Sequence, residues 1–102
     1  PGGTVTCHSL YMGVPVITLT GNDFLSRNTE NILINSNLES FISKTKSEYI
    51  KNAIFFANDK NRIKKEAIRN SFLSSPILDG KRFSKDLKII LREKWKEYCR
   101  VN

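Results

Sequence analysis

Pro1-Gly2-Gly3-Thr4-Val5-Thr6-Cys7-His8-Ser9-Leu10-Tyr11-Met12-Gly13, followed at once by Val14-Pro15-Val16-Ile17-Thr18-Leu19, is the stretch on which the fold of this chain turns. Gly2 and Gly3 free the backbone at its start. Leu10-Tyr11-Met12 then forms a short apolar run that Gly13 can stop as a helix C-cap. Val14 to Leu19 is β-branched, short, and bounded by Pro15 and Gly21. Such a segment reads as a buried parallel strand. Loop, helix and strand in so few residues make one step of an α/β sheet. A parallel strand needs neighbours, and no second segment of the same strength follows. The expectation is that its partners lie upstream of Pro1, in a longer polypeptide of which this is a truncated end.

Beyond the strand, Gly21-Asn22-Asp23 reads as a turn. Residues 25–34 read as a helix with Leu25, Ile32 and Leu33 on one face. Leu38 to Ile42 is a short apolar patch, either a 3₁₀ turn or a small strand. Thr45-Lys46-Ser47-Glu48 matches a capping box. The helix it opens carries Ile50, Ala53, Ile54 and Ala57 at helical spacing. Asp59 can cap a further helix with Ile63, Ala67 and Phe72 turned inward. Ser74-Ser75-Pro76 interrupts, and Asp79-Gly80 starts the last segment. There Phe83, Leu87, Ile90, Leu91, Trp95 and Tyr98 recur every three or four residues, a long amphipathic helix of about five turns.

The bulk properties narrow the class. The chain has 102 residues, 39% of them hydrophobic, which allows one small domain with a modest core. No apolar run approaches the length of a membrane span, and no signal peptide is visible; a soluble, cytoplasmic setting is expected. Cys7 and Cys99 lack the spacing of a zinc site or a disulfide framework. Charge is uneven. Up to Ser43, Arg27 stands against Asp23, Glu30 and Glu39, whereas from Lys44 onward basic residues predominate and the chain totals +7. A basic half invites a nucleic-acid reading. Against it, basic residues alternate with acidic ones, as in Lys85-Asp86 and Arg92-Glu93-Lys94, and the aromatics sit at core spacing.

Four ordered segments carry a resemblance. Thr4, Thr6, Cys7, Ser9, Leu10, Tyr11, Met12, Gly13, Val14 and Pro15 form the first. Gly21 to Arg27, ending in Ser26-Arg27, forms the second, and Glu48-Tyr49 the third. Ser75-Pro76-Ile77-Leu78-Asp79-Gly80-Lys81-Arg82-Phe83 is the fourth, with Trp95 beyond it. Together they resemble the C-terminal portion of the catalytic region of the SPINDLY / O-GlcNAc-transferase family. The resemblance implies a GT-B fold, with residues 1–102 forming the C-terminal portion of its nucleotide-sugar-binding domain. Residues 1–43 would be the donor-loop α/β part and 44–102 the C-terminal helices.

The resemblance further implies a transferase moving GlcNAc or fucose from a UDP- or GDP-sugar to protein Ser/Thr hydroxyls, without metal or other cofactor. Gly2, Gly3, Thr4, Val5, Thr6 and His8 would touch the donor. A diphosphate needs backbone N–H groups, little bulk and the positive end of a helix dipole, and this loop offers all three. The family places an acidic residue, an acceptor for ribose hydroxyls, where this sequence has His8. A neutral imidazole accepts one hydrogen bond, and histidine is the side chain that most readily gains charge in mild acid. No catalytic residue is assigned here, since no base with an oriented partner is recognisable. The implied partners are a nucleotide sugar, a protein acceptor, the N-terminal catalytic domain and tetratricopeptide repeats. This stretch alone is expected to be inactive. The alternative is a basic helical module that binds nucleic acid or protein without catalysis.

Overall fold

A computed structural model describes residues 2–58 and 64–101. In chain order the elements are α1 (Thr4–Tyr11), β1 (Thr18–Leu19), α2 (Asn28–Asn35), β2 (Ile42–Ser43), α3 (Lys46–Asn58), α4 (Lys65–Leu73) and α5 (Gly80–Val101). Short 3₁₀ turns at Leu25–Arg27, Glu39–Phe41 and Pro76–Leu78 join them. The described residues are mostly helical around a small parallel sheet, an arrangement compatible with part of an α/β domain.

The expected stop at Gly13 is built in full. The Gly13 N–H donates to the Leu10 carbonyl at 3.0 Å and the Val14 N–H to the Ser9 carbonyl at 2.8 Å. These are the two bonds of a Schellman closure, which requires a left-handed residue after the helix. Gly13 supplies it at φ +74°. A Cβ there would also approach the Lys65 carbonyl oxygen to 2.5 Å, so α4 packs where only hydrogen fits. The same device ends α2: Asn37 sits at φ 57°, and the N–H groups of Asn37 and Leu38 reach the Ile34 and Leu33 carbonyls at 3.2 and 2.9 Å.

β1 is shorter than the sequence suggests and half-buried rather than buried. It pairs in parallel with β2, Thr18 opposite Ile42 and Leu19 opposite Ser43. Val14 to Val16 runs on without a ladder, and Pro15 has no N–H to give one. The patch at Leu38 to Ile42 combines both expected forms, a 3₁₀ turn over Glu39–Phe41 running into β2.

The core is Leu10 of α1, Leu33 of α2, Leu38 and Phe41 of the following turn, and Ile68 and Phe72 of α4. Phe56 of α3 meets Phe41 edge-on at 4.9 Å between ring centres. Asn52 donates to the Ser43 hydroxyl at 2.8 Å. Those two contacts fix which side of α3 faces the sheet, and they correct the expected face. Ile50, Ile54 and Ala57 point outward, while Asn52, Ala53 and Phe56 are half-buried. In α4, Ile68 and Phe72 turn inward as an i, i+4 pair, leaving Ala67 exposed. Leu25 is likewise exposed, because the 3₁₀ turn before Asn28 breaks its phase with Ile32 and Leu33. Asp59 and Ile63 lie outside the described residues.

The cap at Thr45 forms with a variation. The Glu48 N–H donates to Thr45 Oγ1 at 3.1 Å, but the Glu48 carboxylate accepts from the Lys44 N–H at 2.9 Å, one residue earlier than the usual reciprocal bond. Asp79 caps α5, accepting the Arg82 N–H at 3.0 Å. α5 then runs for 22 residues, about six turns at 3.6 residues per turn, along a body 61 Å in its longest dimension.

Candidate functional site

The start of α1 is an open helix end. Gly3 is its N-cap, at φ −147° and ψ −97°, and no side chain caps it. The first N–H groups of a helix, here those of Thr4, Val5 and Thr6, have no intrahelical acceptor and lie at the positive end of the helix dipole. Thr4 and Val5 are exposed, as is His8, one turn along on the Thr4 side of the helix.

Gly2, Gly3 and Thr6 serve the fold as much as the opening. The Gly2 N–H donates to Thr29 Oγ1 at 3.1 Å. The Gly2 carbonyl accepts from Asn28 Nδ2 at 2.9 Å and from the Thr29 hydroxyl at 3.2 Å. Thr6 is buried and shares a hydroxyl contact with Thr29 at 3.4 Å. A Cβ on Gly2 would collide with Thr6 Oγ1, and one on Gly3 would stand 3.1 Å from Asn28 Nδ2. Gly2 is therefore demanded by the packing of α1 on α2. The Thr6 side chain points to that contact, and the residue is buried.

Beside this helix end lies a cleft of about 400 Å³. Gly2, Thr6, Thr18, Ser26, Thr29 and Tyr49 are among the residues that line it. Three of the segments singled out in the sequence thus converge: the glycine loop, Ser26 and Tyr49. The fourth, Ser75 onward, does not line it, and Trp95 is exposed on α5. Asn28 and Thr29 had not been recognised. Their signal was a polar Asn-Thr pair at a helix start, readable in retrospect as hydrogen-bonding side chains that favour such positions.

Two carboxylates frame the neighbouring turn. The Asp23 carboxylate accepts the Ser26 hydroxyl at 2.6 Å and the Ser26 N–H at 2.7 Å. Those bonds to Ser26, the side-chain one first, hold its carboxyl below the usual aspartate range. Glu30 accepts from the Thr20 hydroxyl, and this bond, followed by Arg27 at 3.4 Å, holds Glu30 below the usual glutamate range. Asp23 closes the turn on Ser26, and Glu30 ties Thr20 to α2. Among the described residues no cluster of His, Cys, Asp or Glu could hold a metal ion, and no helix is long and apolar enough to cross a membrane.

Over 100 residues the chain is 33% identical to a protein of Solanum lycopersicum named as a probable UDP-N-acetylglucosamine–peptide N-acetylglucosaminyltransferase SPINDLY, covering 96% of this chain and 11% of that protein. The chain belongs to the SPINDLY family. The SPINDLY proteins of Hordeum vulgare, 33% identical over 100 residues, and Arabidopsis thaliana, 32% over 101, carry the same name and are matched over 96% and 97% of this chain. The chain spans 11% of the length of these curated SPINDLY relatives. No protein-family model matches it.

Proposed function

We propose that this chain contributes the donor-binding face of a GT-B glycosyltransferase that moves a sugar, GlcNAc or fucose, from a nucleotide donor to Ser/Thr hydroxyls of proteins. The observation that carries the reading is the uncapped start of α1 beside the cleft, within a match to relatives named as peptide N-acetylglucosaminyltransferases. The diphosphate would sit on the N–H groups of Thr4, Val5 and Thr6, with the Thr4 hydroxyl as a further donor and the Gly2-Gly3 backbone leaving it room. His8, one turn on, would meet the ribose and accept a single bond from it. The residues that activate the acceptor would belong to the remainder of the polypeptide, and no metal is required by the donor set here.

Thr4→Ala in the full-length polypeptide tests the assignment. A hydrogen bond to a charged phosphate contributes about 1.5–3 kcal/mol, so the donor KM should rise by about tenfold or more. An unchanged KM would remove Thr4 from the site. His8→Glu should tighten nucleotide binding by restoring a two-oxygen acceptor; equal affinity of both forms for UDP and GDP would place His8 elsewhere. Competition between UDP and GDP separates a GlcNAc donor from a fucose donor. The alternative reading, a basic nucleic-acid module, predicts a DNA mobility shift that fades with salt and ignores nucleotide sugars.

A further inference from the structure

Gly2 stands one residue outside the cap of α1, and the start of α2 holds both of its backbone polar groups. Its N–H donates to Thr29 Oγ1 at 3.1 Å, and its carbonyl accepts from Asn28 Nδ2 at 2.9 Å and from the Thr29 hydroxyl at 3.2 Å. Thr6 Oγ1 lies 3.4 Å from the same Thr29 oxygen. A hydroxyl gives one hydrogen bond and takes two. With its proton on the Gly2 carbonyl, the Thr29 oxygen takes the Gly2 N–H and the Thr6 hydroxyl, and its capacity is filled. One buried hydroxyl thus joins three groups that lie 23 or 27 residues away in the sequence.

This grip aims the loop. The peptide group between Gly2 and Gly3 is planar and trans. Its N–H, that of Gly3, therefore points opposite to the Gly2 carbonyl and away from α2. Two successive glycines have the widest conformational range of any dipeptide, and no side chain caps the helix they enter. Left free, such a loop would have to be ordered by any ligand that needs several N–H groups converging on it, and that ordering subtracts from affinity. Direct contact is a poor account of Thr29 itself. It lines the cleft together with Thr6, but the two residues are only 4% and 3% exposed and their hydroxyls are already engaged with each other and with Gly2.

We infer that Thr29, assisted by Asn28, is a positioning residue of the donor site: it presets the Gly2-Gly3 backbone and the first turn of α1 for a nucleoside diphosphate that it does not touch. The inference rests on the donor-binding reading of that helix end.

Calorimetric titration of the full-length polypeptide with UDP and with GDP tests it. Thr29→Val keeps the shape of the side chain and removes the hydroxyl. The Kd of whichever nucleotide binds the wild type more tightly should rise about tenfold, with the number of sites per chain unchanged. Thr29→Ser keeps the hydroxyl and should bind as the wild type does. A purely structural role gives another pattern, in which unfolded molecules lower the number of sites and the Kd stays where it was. Should Thr29→Val fail to fold, Asn28→Ala removes one bond to the Gly2 carbonyl and should raise the Kd about threefold. Thr4→Ala separates the inference from the reading beneath it. If Thr4→Ala weakens binding while Thr29→Val and Asn28→Ala do not, the positioning role is wrong and the donor site stands. Equal weakening by Thr29→Val and Thr29→Ser also overturns the positioning role, since the hydroxyl is then not the cause. If the polypeptide binds neither nucleotide, the inference and the donor-binding reading fall together.

Discussion

The packed body, built from α1, α2, α4 and the small sheet, and the helix α5 both place apolar residues at helical spacing, most regularly in α5, and the structure treats them oppositely. In the body the periodic residues meet one another: Leu10, Leu33, Ile68 and Phe72 are buried on three different helices. In α5 the periodic residues stay exposed: Trp95, stacked on Tyr98 at 5.6 Å between ring centres, keeps 63% of its surface in water. A period of 3.6 therefore reports that a face is made for contact. Whether the contact partner is local depends on connection length and closure, and those are written in other residues.

The sharpest way to break this comparison is truncation in the core set against truncation on the helix. Phe72→Ala should cost about 3–5 kcal/mol by opening a cavity, enough to unfold a chain of this size in urea titration. Trp95→Ala in the same 102-residue chain should change stability by under about 0.5 kcal/mol, as exposed substitutions do. Equal losses would mean that α5 is already packed. Next in size, Gly13→Ala forces a left-handed alanine against the Lys65 carbonyl, which should lower stability by about 2 kcal/mol. The melting temperature reads that loss, and an unshifted value would mean that α4 does not close on α1. Thr45→Ala removes the cap of α3 for about 1 kcal/mol, visible as a loss of helical circular dichroism.

The smallest effect is a pH dependence. Glu30 is held below its ordinary range by the Thr20 hydroxyl and, secondarily, by Arg27. Folding then favours the ionised form, so the contribution is fully present above the usual glutamate range and is lost as pH falls through the lowered folded value. Thermal melts of wild type and Glu30→Gln should differ at neutral pH and converge in acid. A constant gap would mean that the Thr20 bond does not depend on charge.

Much of the body was legible because its punctuation is local. Gly13, Thr45 and Asp79 each announced a helix end by chemistry confined to a few neighbouring residues, and each end is where the sequence put it. The faces of α3 and α4 were not legible. Ile50 and Ile54 are the strongest apolar residues of the expected face, but one hydrogen bond from the Asn52 side chain and one ring contact from Phe56 decide the orientation, and both depend on residues brought in from β2 and its turn. The strand was overread for a related reason: Val14 to Leu19 has strand composition throughout, but a ladder exists only where β2 lies alongside. At the candidate site the glycine loop was recognisable, whereas Asn28 and Thr29, more than twenty residues later, become its partners only through the chain reversal at β1.

The bonds around Gly2 also bear on how force would travel. Its N–H and carbonyl are both held by the first turn of α2, and its missing side chain leaves space already filled by Thr6. A pull on the backbone at this point would load α2 before it could unwind α1. The first turn of α1 would thus keep its shape under tension, its three amides still aimed the same way, while the strain passed into the Thr29 hydroxyl and the helix behind it.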